Sequence, residues 1–187
     1  MSTPSGELLA KVVRVLLSHH VDDFAFTGGI AVGIWAQPRQ TRDLDVCGSL
    51  ALDEVNRLLA LRDGMRTGAE QLPDSVRFRV GDWDVDLFVS KGEYDRTCLQ
   101  RAISVTFEGT EIRVVSAEDL LIHKLIKLRT DRRRLLQDVA DLRAVIDAQP
   151  NLDWGYLRAW LPEREAALLS TVASTPDDEL MRRLLGP

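Results

Sequence analysis

The 187 residues suffice for one domain, or for a catalytic core with a helical extension. Hydrophobic content of 45% beside 28% charged residues excludes a disordered chain, and no apolar run reaches the roughly 18 residues of a membrane helix. A net charge of -5 excludes a protein that coats nucleic acid by bulk electrostatics. Two cysteines, Cys47 and Cys98, have neither metal-ligand spacing nor the density of a disulfide scaffold. With no signal-peptide pattern either, the expected location is the cytoplasm.

Leu8, Leu9, Val12, Val13, Leu16 and Leu17 repeat with helical period, predicting an amphipathic helix from Gly6 to about His20. Phe24 to Phe26 reads as a short buried strand ending at Gly28-Gly29, and Ile30 to Trp35 as a helix stopped by Pro38. Asp43 to Val46 is the next strand and Leu52 to Leu61 a helix, with Asp53 and Glu54 in the first turn, where carboxylates suit the dipole. Val76 to Val80 and Trp83 to Val89 alternate around Gly81-Asp82, a two-residue hairpin signal. On that alternation Val85 and Leu87 share one face and Asp84, Asp86 and Phe88 the other. A further hairpin is predicted from Ala102 to Phe107 and Ile112 to Val115, around Glu108-Gly109-Thr110. Ser116 to Asp119 then caps a helix through Lys127. Helices follow over Arg133 to Ala148, Trp154 to Trp160 and Pro162 to Val172, with Pro162 at a first helical position and a minor break at Pro150-Asn151. These elements predict an α/β (α+β) fold, a mixed sheet flanked by helices over residues 1–116 with a helical C-terminal part over 117–187 packed on it as a single compact unit.

The segment from Thr27 to Val46 carries the chemistry. In a strand Asp43 and Asp45 point to one side while Leu44 and Val46 point into the core. Two adjacent carboxylates repel unless a cation separates them. Hard oxygen ligands favour Mg²⁺, which takes its remaining ligands from water and substrate phosphates. Gly28 and Gly29, opening a helix without side chains, allow backbone amides to approach a phosphate. Asp86 lies in the apolar string Val85-Asp86-Leu87-Phe88-Val89, where a carboxylate is costly unless compensated, and it is the candidate third ligand, with Asp84 on the same face as a substitute. Arg39 and Arg42 flank the acidic triplet, within reach of phosphate or of nearby carboxylates. Lys124, Lys127, Arg129 and Arg132 to Arg134 concentrate positive charge, as a solvated helix face or a local nucleic-acid contact. His19, His20 and His123 show no ligand pattern.

Gly-Gly, then Asp-Leu-Asp, then a lone strand aspartate resembles the nucleotidyltransferase fold of DNA polymerase beta and the aminoglycoside nucleotidyltransferases. The downstream segment VVSAEDLLIHKLIKLRTDRRRLLQDVADL resembles AbiEii-type toxin nucleotidyltransferases and their small bacterial relatives, although Gln137 stands where an arginine usually precedes the Asp-x-x-Asp-Leu element. The matches span about residues 24 to 146. The resemblance implies metal-dependent transfer of NMP from an NTP to a hydroxyl acceptor. Asp43, Asp45 and Asp86 would hold Mg²⁺ or Mn²⁺, Gly28 and Gly29 the phosphates, and Lys124 the triphosphate, with Asp138 orienting Lys124 and Asp141 one turn further on the same face. It further implies an acceptor such as a tRNA 3′ end and a cognate antitoxin. A small hydroxyl compound of the aminoglycoside or lincosamide kind is the alternative acceptor, and an inactive nucleotide- or partner-binding module the non-catalytic alternative.

Overall fold

The computed structural model describes residues 4–63, 71, 73–130, 134–176, 179–180 and 182. By its contacts the chain divides into two units, residues 1–34 with 38–116, and residues 35–37 with 117–187.

The first unit is built on a mixed six-stranded sheet. In chain order it contains α1 (Gly6–Ser18), β1 (Asp23–Phe26), α2 (Gly28–Trp35, whose last residue belongs to the second unit), β2 (Asp43–Ser49), α3 (Leu52–Asp63), β3 (Ser75–Val80), β4 (Trp83–Val89), α4 (Glu93–Arg101), β5 (Ile103–Phe107) and β6 (Thr110–Val114). The strand order is β3-β4-β2-β1-β6-β5. Only β2–β4 and β1–β6 pair in parallel; the other neighbours are antiparallel.

Paired residues share a face of a sheet, so the register sorts the side chains. Leu44, Val46, Phe24, Phe26, Val85, Leu87, Val76, Phe78 and Val114 fall on one face and are buried. The other face carries Asp43, Asp45, Asp84, Asp86, Arg77 and Arg79. This is the alternation expected for β4, extended by pairing across three strands.

Local chemistry explains the helices. Ser5 caps α1 by accepting the Leu8 amide at 3.2 Å, and Leu9, Val12 and Leu16 turn its buried stripe toward the sheet. The β3–β4 hairpin turns at Gly81-Asp82 as predicted, whereas the β5–β6 hairpin turns at Glu108-Gly109 alone, with Thr110, expected in the turn, paired with Phe107; Gly81, Glu108 and Gly109 have positive φ. The sequence reading lacked α4. Its start is fixed by Asp95, whose Oδ2 accepts the amides of Lys91 at 2.7 Å and Gly92 at 2.8 Å, and only Cys98 and Leu99 of its length are buried. Two apolar residues in nine leave almost no period to detect. β2 also runs on to Ser49, because Cys47 and Gly48 pair with β1 and β4 on either side.

The second unit contains α5 (Ala117–Thr130), α6 (Leu135–Ala148), α7 (Trp154–Trp160) and α8 (Glu163–Ser174). Leu120, Leu121, Leu125, Leu142, Val145, Leu157, Leu169 and Val172 form its core. Asp153 caps α7 by accepting the Tyr156 amide at 2.9 Å, and Gln149 Nε2 donates to the Trp35 carbonyl at 2.7 Å. Pro162 stands at the cap of α8 rather than at its first helical position. No helix among the described residues is long and apolar enough to cross a membrane.

Candidate functional site

In the first unit the carboxylates converge through the parallel pairing of β2 with β4. Its register sets Asp43 beside Asp84 and Asp45 beside Asp86. Asp45 is the innermost, 6% exposed. Asp86 is 14% exposed at its side chain and Asp84 46%, so of the two Asp86 lies deeper.

The glycine turn is built against the same group. Gly28 has φ +56°, and a Cβ placed on it would lie 1.9 Å from Asp45 Oδ2. A Cβ on Gly29 would lie 2.8 Å from Thr41 Oγ1. The Thr27 amide donates to the Asp45 carbonyl at 2.9 Å, tying the turn to β2. Thr41, buried, places Oγ1 3.0 Å from the Asp43 carbonyl and 3.3 Å from Asp43 Oδ1. Gly-Gly and Asp-Leu-Asp therefore form one packed object.

A charge pair closes the site on the β3 side. Arg77 grips Asp86 with two parallel bonds, Nε to Oδ1 at 2.5 Å and an NH2 nitrogen to Oδ2 at 2.6 Å. The hydrogen bond and then the charge of Asp86, with smaller contributions from Asp84 and Asp43, raise the Arg77 guanidinium above its ordinary range. Arg79 lies 3.4 Å from Asp84. Arg42 is exposed at the mouth of β2, and Arg39 donates to the Gln40 carbonyl.

Lys124, Asp138 and Asp141 belong to the second unit, where they meet one another. Lys124 Nζ lies 2.7 Å from Asp138 Oδ1 and 2.5 Å from Asp141 Oδ2, and all three are buried. Gln137 Nε2 donates to Asp141 Oδ1 at 3.0 Å, so the residue standing in for the expected arginine supports the cluster. Lys124 is thereby withdrawn from the basic run, of which Lys127 and Arg134 are half-buried. Arg132 and Arg133 of that run lie outside the described residues.

The model of a family described as uncharacterised nucleotidyltransferase matches residues 36–169, well over half the chain. The chain belongs to this uncharacterised nucleotidyltransferase family. Among solved structures it resembles the antibiotic-resistance factor ANT(2'')-Ia in solution, at 12% identity over 96% of each chain with a TM-score of 0.54. It also resembles the crystal structure of ANT(2'')-Ia in complex with adenylyl-2''-tobramycin, at 14% identity over 90% of this chain and 97% of that one, TM-score 0.54. An antigenic nucleotidyltransferase-like protein from Paracoccidioides brasiliensis is 19% identical over 98% of this chain and 95% of that one, TM-score 0.49. Identities this low speak for the fold alone. No curated protein gives a significant match.

Nucleotidyltransferases generally use a divalent cation, and the residues present fit one. Among the described residues no three His, Cys, Asp or Glu side chains are grouped to hold a metal by themselves. Mg²⁺ is usually bound by one or two carboxylates together with substrate phosphates rather than by an all-protein cage. Asp43 and Asp45 are two carboxylates at same-face positions of β2, and Gly28 packs against Asp45, whose Oδ2 lies where a Cβ would go. Asp86 has both oxygens on Arg77.

Sequence reasoning did not name two residues of this candidate site. Thr41 had a signal, a small hydroxylated residue two positions before the first aspartate. Arg77 had one too, an arginine on the aspartate-bearing face of an adjacent hairpin strand.

Two of the positive-φ glycines offer a controlled comparison. Gly28 (φ +56°) meets Asp45, whereas Gly81 (φ +61°) has nothing within 4 Å of an added Cβ. Gly81→Ala is expected to cost about 1 kcal/mol, the price of a left-handed alanine. Gly28→Ala adds a collision with the Asp45 carboxylate and is expected to cost at least about 2 kcal/mol. Urea denaturation of both variants checks this, and equal losses would mean that the Gly28–Asp45 approach is slack.

Proposed function

We propose that this chain transfers a nucleoside monophosphate from a nucleoside triphosphate to a hydroxyl group and releases pyrophosphate. In this reading Asp43, Asp45 and Asp86 hold Mg²⁺ or Mn²⁺, Gly28 and Gly29 admit the phosphates to the backbone, and Arg42 meets them from the exposed flank. Bound there, a divalent cation would neutralise triphosphate charge and ease ionisation of the attacking hydroxyl. The observation that carries the reading is the β2–β4 register, which sets Asp45 beside Asp86 and Asp43 beside Asp84, directly against the Gly28 turn. Arg77 and Arg79 of β3 stand opposite Asp86 and Asp84, whereas Asp43 and Asp45 stand beside those aspartates in the β2–β4 register, like charge next to like charge.

Two acceptors follow from separate observations. The AbiEii-type resemblance of the segment around Lys124 to Leu142 supports an RNA 3′ end, such as that of tRNA, and a toxin whose partner is an antitoxin. The burial of Lys124, which weakens the basic run, and the acidic face of the sheet favour a small cationic hydroxyl compound instead. One assay separates them. The protein is incubated with each of the four α-labelled NTPs and Mg²⁺, with total tRNA in one arm and a panel of aminoglycosides and lincosamides in the other. Label is expected in one arm only, lost in Asp43→Asn. No transfer in either arm with any nucleotide would leave a nucleotide- or partner-binding module in place of the enzyme.

A further inference from the structure

Arg77 is placed for more than edge protection. Strand β3 is an edge of the sheet, and both its arginines face the aspartates, but they are held differently. Arg79 makes a 3.4 Å contact to a carboxylate that is itself 46% exposed. Arg77 takes both oxygens of Asp86, which is only 14% exposed, while 51% of its own side chain remains in solvent. The acid is inside and the base covers it. A planar guanidinium in a two-bond fork leaves the carboxylate no oxygen free for a cation in the same direction. Its exposed stem can also swing away without opening a cavity in the core.

We propose that Arg77 is an internal counter-ion that occupies Asp86 in the resting site and competes with the incoming divalent cation, so that metal alone binds weakly and metal with nucleotide binds well. A nucleotide shifts the balance because its phosphate oxygens offer the released guanidinium the same forked acceptor geometry that Asp86 gave it. Arg77 is thus a positioning residue that couples metal entry to substrate entry. The inference rests on the reading that Asp43, Asp45 and Asp86 are the metal-holding carboxylates.

Mn²⁺ binding to the full chain, followed by electron paramagnetic resonance without nucleotide, tests it apart from activity. Arg77→Gln is expected to bind Mn²⁺ about tenfold more tightly than wild type, the effect of removing one like charge at a partly exposed site. Arg77→Lys, a point charge without the fork, is expected to fall between the two. With a non-hydrolysable ATP analogue present, the advantage of Arg77→Gln is expected to shrink, because wild-type Arg77 then has phosphate to meet. In an Asp86→Asn background Arg77→Gln is expected to gain less than twofold. An Arg77→Gln affinity equal to or weaker than wild type, with an unchanged circular dichroism spectrum, overturns the proposal. Mn²⁺ binding that survives Asp43→Asn combined with Asp45→Asn overturns the metal reading itself, whatever Arg77 does.

Discussion

Asp45→Asn is expected to lower nucleotidyl transfer by about a thousandfold, the scale of removing one electrostatic stabiliser from a preorganised site, while making the metal-free protein more stable. Asp45 is 6% exposed, sits beside Asp86 in the β2–β4 register, and shares its face with Asp43. A carboxylate at that depth is costly to desolvate, and its neighbours Asp43 and Asp86 are of like charge. Asparagine keeps the shape and loses the charge, and the backbone bond from the Thr27 amide to the residue 45 carbonyl is untouched. A gain of about 1 kcal/mol is the expected size for relieving such a functional strain. Thermal denaturation without metal, run beside a labelled-nucleotide transfer assay, reads both halves. A variant that loses activity and also melts earlier would make Asp45 a structural residue and remove the core of the proposed mechanism.

Lys124→Ala is expected to destabilise the protein by about 3–5 kcal/mol, the cost of leaving buried partners of an ion pair uncompensated. Its ammonium serves both Asp138 and Asp141, each at most 3% exposed. Asp138 Oδ2 accepts no hydrogen bond among the described residues, so removing Lys124 would take away the side-chain partner of that carboxylate. Lys124→Met with Asp138→Asn and Asp141→Asn is expected to recover most of the loss, because no charge then stays buried. Urea titrations of the single and triple variants provide the comparison. The family resemblance implies that Lys124 meets the triphosphate, whereas its burial between Asp138 and Asp141 predicts a role in folding of the second unit. Calorimetric NTP binding by the Lys124→Ala protein, at a temperature where it remains folded, separates the two. Affinity close to wild type is the result that the burial predicts, and a tenfold loss would restore the triphosphate role.

The helical and alternating patterns of this chain were legible because they are local. Of the six apolar residues read at the helical period, Leu9, Val12 and Leu16 are buried, Leu8 and Val13 half-buried and Leu17 exposed, and Val76, Phe78 and Val80 repeat at the strand period and are buried. The paired positive-φ turns follow from Gly81 and Gly109 in two-residue loops. Segment 93–101 was not legible, since its helix depends on a side-chain cap and buries only Cys98 and Leu99.

The candidate site divides along the same line. That Asp43 pairs with Asp45, and Asp84 with Asp86, on a common face is a property of any strand and needs no tertiary information. Which of the later aspartates stands beside Asp45 depends on a parallel register between β2 and β4, two strands separated in sequence by a helix and an edge strand. A one-residue slip in that register would send Asp86 to the opposite face, so only the packed apolar face of Leu44, Val46, Val85 and Leu87 decides it.

The sequence by itself determined the composition of the site: two glycines, a strand with two same-face aspartates, a later strand with two more, and the fold class that brings such elements together. The tertiary structure alone decided that Gly28 is glycine because the Asp45 carboxylate lies where a Cβ would go, that Asp86 rests on Arg77, and that Lys124 is spent on Asp138 and Asp141. The physical reason is range. Periodicity and turn chemistry act over a few residues and are written in the chain, whereas the partner of a charge is set by whichever opposite charge the packed sheet or helix pair brings within about 3 Å.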